Sequence, residues 1–521
     1  MRCSGGLPMC VAVGVLLRVP VAAAAVAATP WAEITAVDIR AIHQQLRDNH
    51  PGPVDSQNPN YRVWLEQGFR RALARSGTAQ NYFDYKRTLL AYLNGFRDGH
   101  TNIAPAVDVT FYEWPGFLPA VAPDGKVRVG VSEERGITPG DEVLSCDGTP
   151  IGDLFERNVA PYYWNRDIPQ DRDLNMPRTL MIDGGDQRSR VRSCDIAGAA
   201  GARHVELQWR RTPRARGIAL RAEADGRVVP QLGLRKIEGI WFLSFPSFDY
   251  QSSADVSKFK AFLGEIAAHA EDLRHADRIV IDVRDNRGGI SAWGLTAAGY
   301  IWGEKLVQAV SASLPGDVDW RASPANYAHI SEFLQHAIAN QLPPGDIAEL
   351  TSVRTRMAQT LARGEPLSRE TSPVTPLGKL PPPLLRGSVY FLTDGVCTSA
   401  CLDFADVVLR LPNVVQVGRP TDADALYIDL NHAELPSGLG VFQYSMKVYR
   451  TRIRGNNQWY EPKYRWPGGL MSDEAIAKWI ATLPSTTLNA CAPHNSDGCA
   501  DSSRSPSVAS SPTRRERRSA P

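Results

Sequence analysis

The stretch GSVYFLTDGVCTSACLDFADVV, residues 387–408, combines a strand, a turn and a helix, and the predicted fold starts from it. Its first part is an apolar run of strand length, and its last part spaces apolar residues as a helix does. The same order recurs around DRIVIDVRDNRGG, residues 277–289, and VVQVGRPT, residues 414–421. Repeated strand–helix–strand order predicts an α/β core with a largely parallel sheet.

Ser399 stands at the turn between that strand and that helix, and its position has two explanations. Serine and threonine often cap helix N-termini, because their oxygens accept hydrogen bonds from exposed backbone N–H groups. No acidic residue follows Thr398 or Ser399 at the third position, so neither forms a capping box. A serine nucleophile at the same position would gain from the positive end of the helix dipole.

Two further segments offer groups that a serine nucleophile needs. The glycines Gly288 and Gly289 follow a predicted strand, and their backbone N–H groups could stabilise an oxyanion; a tight turn is the alternative. His100, in FRDGHT, is a candidate base, although a loop histidine is often incidental. The sequence has neither HExxH nor GxSxG, which disfavours zinc peptidases and ordinary α/β-hydrolases. No metal or organic cofactor is expected.

The composition indicates a globular protein with more than one core, with 43% hydrophobic and 22% charged residues over 521 positions. The formal charge is +2, and arginines near the two ends account for it, so no nucleic-acid partner is expected. Residues 1–28 have the pattern of a signal peptide with cleavage near Ala27 or Ala28. A membrane anchor is the alternative, but Arg18 and Pro20 interrupt the apolar run. We therefore expect export to the periplasm or the extracellular space, with no membrane span after cleavage.

Removal of the signal peptide leaves an even number of cysteines, which in an exported chain favours disulfides. The preferred pairs are Cys397 with Cys401, Cys146 with Cys194, and Cys491 with Cys499. Two free buried thiols are the alternative for the first pair.

The chain divides into segments of different periodicity. Helical spacing predominates at the N-terminus, with Asp38 and Asn81 as possible caps. Short alternating runs follow, and then strands alternate with helices. The predicted segments are a helical domain at 31–105, a β-rich region at 110–233, an α/β catalytic domain at 234–490 with a helical and proline-rich insertion at 323–385, and a disordered tail at 500–521.

Four motifs resemble those of the tail-specific, or C-terminal processing, serine peptidases, and they occur along the chain in the order of that family. D-x-R-x-N-x-G-G is at 282–289, a serine followed by a small residue is at 399–400, V-G-x-x-T is at 417–421, and D-G-H-T is at 98–101. The last motif resembles the branch that includes the tricorn core protease. GITPGDEVLSCDGTPI, residues 136–151, resembles the PDZ segment of such peptidases; an unrelated β-domain is the alternative.

The resemblance implies a crotonase-like α/β catalytic core with a PDZ-like domain. Ser399 would be the nucleophile, His100 the base, and Gly288, Gly289 and Ala400 the oxyanion donors. A Ser-Lys dyad is disfavoured, because no lysine lies between the serine and Lys447. The relay is incomplete in sequence, since Gly99 replaces a serine of tricorn, and the supporting acid is either Glu461 or Glu434.

The expected activity is that of an exported serine endopeptidase acting on protein or peptide substrates. A binding protein on the same fold and an esterase that uses the same serine are the alternatives. The sequence does not predict the oligomeric state.

Overall fold

The computed structural model describes residues 30–186, 188, 190–249, 253–339, 344–485 and 508–509. The predicted signal peptide, the predicted pair of Cys491 with Cys499 and most of the predicted disordered tail lie outside the described residues. Within these ranges, no helix has the length and apolarity needed to cross a bilayer.

Helices form most of the N-terminal segment. Its elements are α1 (Trp31–Asn49), a 3-10 turn (Gly52–Val54), α2 (Pro59–Ser76), α3 (Tyr82–Asn94) and β1 (Asn102–Pro105). Asn81 caps α3 as predicted, because its side chain accepts hydrogen bonds from the first turn of that helix. Asp38 is not a cap, since α1 begins well before it. Its buried carboxylate accepts hydrogen bonds from Tyr85 and Ser437 instead.

The middle segment contains the predicted strands and also helices. Its elements are β2 (Phe111–Trp114), β3 (Phe117–Val121), β4 (Val127–Ser132), β5 (Glu142–Cys146), β6 (Thr149–Pro150), α4 (Ile151–Asn158), α5 (Ala160–Tyr163), α6 (Pro169–Asn175), a 3-10 turn (Met176–Thr179), β7 (Ile182–Asp183), β8 (Ser193–Gly198), β9 (Gly201–Glu206), β10 (Arg210–Pro213) and α7 (Arg214–Ala224). One sheet has the order β3-β4-β5-β8-β9, with β6 beside β5, and another has the order β10-β2-β7. The helices are short, so their periodicity is hard to recognise in sequence.

The C-terminal segment alternates strands and helices. Its elements are β11 (Gly233–Ile237), β12 (Ile240–Ser244), α8 (Ser253–Ala268), α9 (Ala270–His275), β13 (Arg278–Asp282), α10 (Ala292–Trp302), α11 (Glu304–Ala312), β14 (Val318–Arg321), α12 (Pro324–Ala339), α13 (Pro344–Ala362), β15 (Leu367–Glu370), β16 (Ser388–Thr393), α14 (Ala400–Val408), β17 (Val414–Gly418), β18 (Tyr427–Glu434), β19 (Gly440–Tyr449), β20 (Trp459–Tyr460), β21 (Tyr464–Arg465), α15 (Asp473–Thr482) and β22 (Val508–Ala509). β22 pairs with β20, so residues 508–509 form a strand, whereas the tail was predicted to be disordered.

The central sheet of the C-terminal segment has the order β11-β12-β13-β16-β17-β21. Only the pair of β11 with β12 is antiparallel among these pairings, which confirms a mixed α/β fold with a largely parallel sheet. Ile279 and Ile281 of β13 pack into the core on one face, and Val280 packs into the core on the other. Burial of both faces explains why these strands are continuously apolar.

A second sheet joins the N-terminal and C-terminal segments. β19 pairs with β18, and it also pairs with β1 and β14; β14 in turn pairs with β15. The region 323–385 is therefore not only helical and proline-rich, because β15 ties it into this sheet. Phe442 and Tyr444 of β19 share a core with α1 and α3. This pairing places the loop between α3 and β1 against the C-terminal segment.

Candidate active site

A cleft of about 760 Å³ lies where the three segments meet. It is lined by Ser399, His100, Gly288 and Gly289, which the sequence predicts to act together. The neighbouring parallel strands β13 and β16 end at the same edge, with Asp282 opposite Leu392. Their following loops therefore emerge side by side, which is the usual place for a site in an open α/β sheet.

Ser399 does not behave as an ordinary helix cap. It precedes α14, but its side chain makes no capping hydrogen bond. Its backbone has φ +54° and ψ −127°, a conformation that is unfavourable for a residue with a Cβ atom. Its Oγ lies 3.5 Å from Nε2 of His100, a residue 299 positions away in sequence. The side chain therefore faces the imidazole in the cleft.

Two of the three predicted cysteine pairs are confirmed as disulfides. Cys397 and Cys401 are bonded and fully buried, and they flank Ser399 in sequence. Cys146 and Cys194 are bonded across β5 and β8. The first disulfide closes the turn that carries Ser399, and the second lies in the sheet of the middle segment.

Buried polar contacts shape the loop after β13. The guanidinium of Arg284 donates to both carboxylate oxygens of Asp282, at 2.8 and 2.6 Å, and both side chains are inaccessible to solvent. Asn286 donates through Nδ2 to the carbonyl oxygen of Phe245 at 2.8 Å. Asp394 accepts a hydrogen bond of 3.0 Å from the backbone N–H of Asp285, which joins this loop to the one after β16. The motif at 282–289 is thus a scaffold for the two glycines.

Only glycine suits positions 288 and 289. Gly288 has φ +98° and Gly289 has φ +125°. A Cβ atom on Gly288 would lie 2.8 Å from Cβ of Ser399, and one on Gly289 would lie 2.2 Å from the carbonyl carbon of Phe248. The glycines allow this loop to approach the serine closely.

The three predicted oxyanion donors differ in their hydrogen bonding. The N–H of Gly288 donates to Oδ1 of Asn286 at 2.9 Å, so it is already occupied. In the part of the chain that the structure describes, no acceptor is paired with the N–H groups of Gly289 and Ala400. Gly288 therefore departs from the prediction as a donor, while its lack of a side chain keeps the space beside Ser399 open.

His100 lies in the turn between α3 and β1, and Asp98 holds this turn. One carboxylate oxygen of Asp98 accepts the backbone N–H of His100 at 3.0 Å, and the other accepts the hydroxyl of Thr101 at 2.6 Å. Nδ1 of His100 is buried and has no hydrogen-bond partner among the described residues. Oδ1 of Asp98 lies 3.7 Å from that nitrogen.

Within the described ranges, no lysine or arginine pairs with Asp98, in contrast to two other carboxylates of the cleft. Asp424 pairs with Arg452 and Arg454, and Asp429 pairs with Lys447 at 2.8 Å. Burial acts to raise the pKa of Asp98, but the neighbouring imidazoles of His50 and His100 outweigh it and hold the pKa below its usual value. Asp98 is therefore ionised at neutral pH.

Neither of the two acids predicted from sequence lines the cleft. Glu461 accepts a hydrogen bond from the indole of Trp459 and pairs with Arg465. Glu434 is exposed at the end of β18. The sequence prediction missed Asp98, although Asp98 belongs to the D-G-H-T motif. The signal was its spacing of two residues from the histidine, which permits contact within one turn.

Comparisons with known proteins agree with this fold. Residues 240–461 match peptidase family S41. Mature CPAF is similar in structure, with a TM-score of 0.59, 14% sequence identity, and coverage of 86% of this chain and 96% of that chain. Mature CPAF complexed with lactacystin matches with a TM-score of 0.57 and 14% identity, over 86% of this chain and 97% of that chain. No curated protein sequence matches this one.

The likeness to CPAF concerns the fold, and the family match covers four strands of the central sheet (β12, β13, β16 and β17), the glycine loop and Ser399. Residues 240–461 thus form a region of the peptidase S41 family, and the chain is an enzyme of the serine peptidase class.

Proposed function

We propose that this chain is an exported serine endopeptidase that cleaves unfolded or C-terminal segments of proteins through Ser399 and His100. The observation that carries the proposal is the distance of 3.5 Å between Oγ of Ser399 and Nε2 of His100. Hydrogen bonds between nucleophile and base are often long before substrate binds, so this distance suits a free enzyme.

The proposed reaction begins with transfer of the Ser399 hydroxyl proton to Nε2 of His100 while Oγ attacks the peptide carbonyl. The negative charge on the carbonyl oxygen is stabilised by the N–H groups of Gly289 and Ala400, the second of which opens α14. When the intermediate collapses, His100 gives the proton to the leaving amine. Water then enters, His100 takes a proton from it, and the acyl group is released from Ser399.

Asp98 supports the base in this proposal. When Nε2 of His100 accepts a proton from Ser399, the ring becomes an imidazolium whose Nδ1–H faces Asp98 at 3.7 Å. An ionised carboxylate beside the ring stabilises that cation and fixes the orientation of the ring. Because no lysine or arginine in the described ranges pairs with Asp98, its charge is available to His100.

The middle segment is proposed to act as a PDZ-like domain that presents substrate, and the catalytic core is proposed to be crotonase-like. Asp147 and Gly148, both with positive φ, form the turn between β5 and β6, as the predicted Asp-Gly turn requires. Tyr162, Asn165 and Ile168 of this segment line the cleft. A peptide added to an edge of its sheet would therefore lie close to Ser399.

Export is supported by the two disulfides, because such bonds persist in oxidising compartments. The predicted signal peptide supports it as well, on sequence grounds.

The experiment uses the exported chain, with an unfolded protein and a panel of short esters as substrates. The proposal expects hydrolysis of the unfolded protein, with a loss on the order of a millionfold in kcat for Ser399→Ala. Undiminished turnover in Ser399→Ala contradicts the assignment of the nucleophile. Turnover of esters alone identifies an acyl hydrolase, and absence of any turnover by folded wild-type protein identifies a binding protein.

A further inference from the structure

The environment of Asp98 contains a second histidine that the mechanism above does not use. His50 follows α1, and its side chain is completely buried. The ring stacks on Tyr61, with centroids 4.7 Å apart and planes inclined by 10°, and it also contacts Tyr427. Nε2 of His50 lies 3.5 Å from Oδ2 of Asp98.

Backbone contacts fix which nitrogen of His50 carries the proton. The N–H of Gly52 donates to Nδ1 of His50 at 2.9 Å, so Nδ1 is the acceptor nitrogen. A neutral imidazole with an acceptor at Nδ1 carries its hydrogen at Nε2. Burial lowers the pKa of His50 despite the nearby carboxylates, which favours this neutral form. The N–H at Nε2 therefore faces Asp98.

Two imidazole nitrogens consequently flank one carboxylate. Nε2 of His50 and Nδ1 of His100 are both buried, and neither makes a hydrogen bond in the described part of the chain. Asp98 lies between them, with Oδ2 toward His50 and Oδ1 toward His100. A buried N–H group without a partner costs free energy. A carboxylate placed between the two rings can accept from both of them and so reduces that cost.

We propose that His50 is a positioning residue for catalysis, which donates its Nε2–H to Asp98 and so holds that carboxylate against the base His100. The inference rests on the proposed Ser399–His100 mechanism and deepens it. The neutrality of His50 is the important property, because a neutral donor orients Asp98 without cancelling its charge. Asp424 and Asp429 show the contrast, since arginine and lysine side chains neutralise them.

Two substitutions separate the two contacts of His50. His50→Asn keeps an oxygen near the position of Nδ1, where it can accept the N–H of Gly52, but leaves no donor toward Asp98. His50→Gln places its amide nitrogen near the position of Nε2, where it can donate to Asp98, but loses the acceptor for Gly52. Both variants lose the stacked ring, so they are matched in packing.

Steady-state hydrolysis and thermal unfolding of both variants test the inference. We expect His50→Asn to lose about tenfold to a hundredfold in kcat with little change in KM, as is typical when a supporting hydrogen bond is removed. His50→Gln should retain most of the wild-type kcat at a similar melting temperature. Equal losses in the two variants, or wild-type kcat in both, would overturn the inference.

A measurement on the wild-type protein covers the case in which a variant fails to fold. Ring ¹⁵N chemical shifts of histidine-labelled protein should show His50 as the neutral Nε2–H form between pH 5 and 8. An imidazolium or an Nδ1–H form would contradict the inference. Ser399→Ala and His100→Ala are assayed in parallel: if they are inactive while the His50 results are negative, only the role of His50 fails, whereas full activity in Ser399→Ala removes the proposed function itself.

Discussion

The turn that carries Ser399 and the turn that carries His100 are held by different kinds of contact. The serine turn follows one of two adjacent parallel strands, is closed by the Cys397–Cys401 disulfide, and places Ser399 at φ +54°. The histidine turn has no such covalent closure. It is held by the carboxylate of Asp98, which accepts hydrogen bonds from Thr101 and from the backbone of His100.

The difference indicates two ways of positioning a catalytic group. The backbone fixes the proposed nucleophile, whose geometry should tolerate changes in nearby polar side chains. Buried polar contacts fix the proposed base, whose geometry should be sensitive to the loss of one donor or acceptor. Substitutions around the two turns should therefore affect rate and stability in different proportions.

After the loss of Ser399 itself, the largest effect is expected at the proposed base. His100→Ala should reduce kcat by roughly 10⁴ to 10⁶, because it removes the base that lies 3.5 Å from Oγ of Ser399. The matched control is His432→Ala: His432 lines the same cleft but contacts Gln443. We expect its kcat to fall less than tenfold. An inactive His432→Ala with an active His100→Ala would place the base on the C-terminal side of the serine.

The next effect concerns the carboxylate behind the base. Asp98→Asn keeps the size of the side chain and removes its charge, so kcat should fall by about 10² to 10⁴. Glu461→Gln and Glu434→Gln, at the acids predicted from sequence, should retain wild-type kcat because neither residue lines the cleft. A large loss in either glutamate variant, with full activity in Asp98→Asn, would reassign the supporting acid.

A smaller effect distinguishes the two disulfides. Removing the one beside Ser399, by Cys397→Ala with Cys401→Ala, should lower kcat on the order of tenfold because the nucleophile loses its fixed turn. Removing the other, by Cys146→Ala with Cys194→Ala, should leave kcat nearly unchanged. Its loop spans 48 residues, so chain entropy assigns it about 4 kcal/mol of stability against about 2 for the short loop.

The two double variants are compared by their loss of kcat relative to their loss of melting temperature. Rates and melting temperatures of both double variants should show the larger loss of rate in the first and the larger loss of melting temperature in the second. The reverse order would mean that the backbone at Ser399 is held without its disulfide.

The smallest effect is expected on stability, at a carboxylate in the wall of the cleft. Burial raises the pKa of Asp171, on α6, to about 6. The folded-state pKa lies above the value near 3.9 of an unfolded chain, so this group favours folding at low pH and loses that contribution as pH rises through 6. Asp171→Asn should therefore be more stable than wild type by about 1 to 2 kcal/mol at pH 7.5. Denaturant unfolding at pH 4 should show no difference, and a difference there would mean that the effect is not one of charge.

The sequence predicted those parts of the site that are contiguous along the chain. The strand ending in Gly288 and Gly289 and the turn around Ser399 carry their own signals, because apolar strands, glycines and cysteines act on the backbone beside them. The parallel sheet was predicted for the same reason. The hydrogen bond that occupies the N–H of Gly288 was not predicted, since it depends on the side chain of Asn286 folding back onto the loop.

Contacts between distant segments were the part that the sequence could not predict. Asp38 is of a residue type that often caps helices, but its carboxylate is buried against Ser437, far along the chain. The pairing of β1 with β19 and the approach of His50 to Asp98 depend on packing of the helical segment on the second sheet. No local pattern records such contacts. The acids Glu461 and Glu434 were predicted for another reason, because the resemblance to the tricorn branch implies an acid near the C-terminal end.

The central claim, that His100 activates Ser399, is tested most directly by labelling with a fluorophosphonate probe, which reacts only with an activated serine. Wild-type protein should be labelled at Ser399, as peptide mapping would show. Ser399→Ala should not be labelled, and His100→Ala should be labelled far more slowly at the same probe concentration. A folded wild-type protein that resists the probe, or a His100→Ala variant labelled as fast as wild type, would contradict the account.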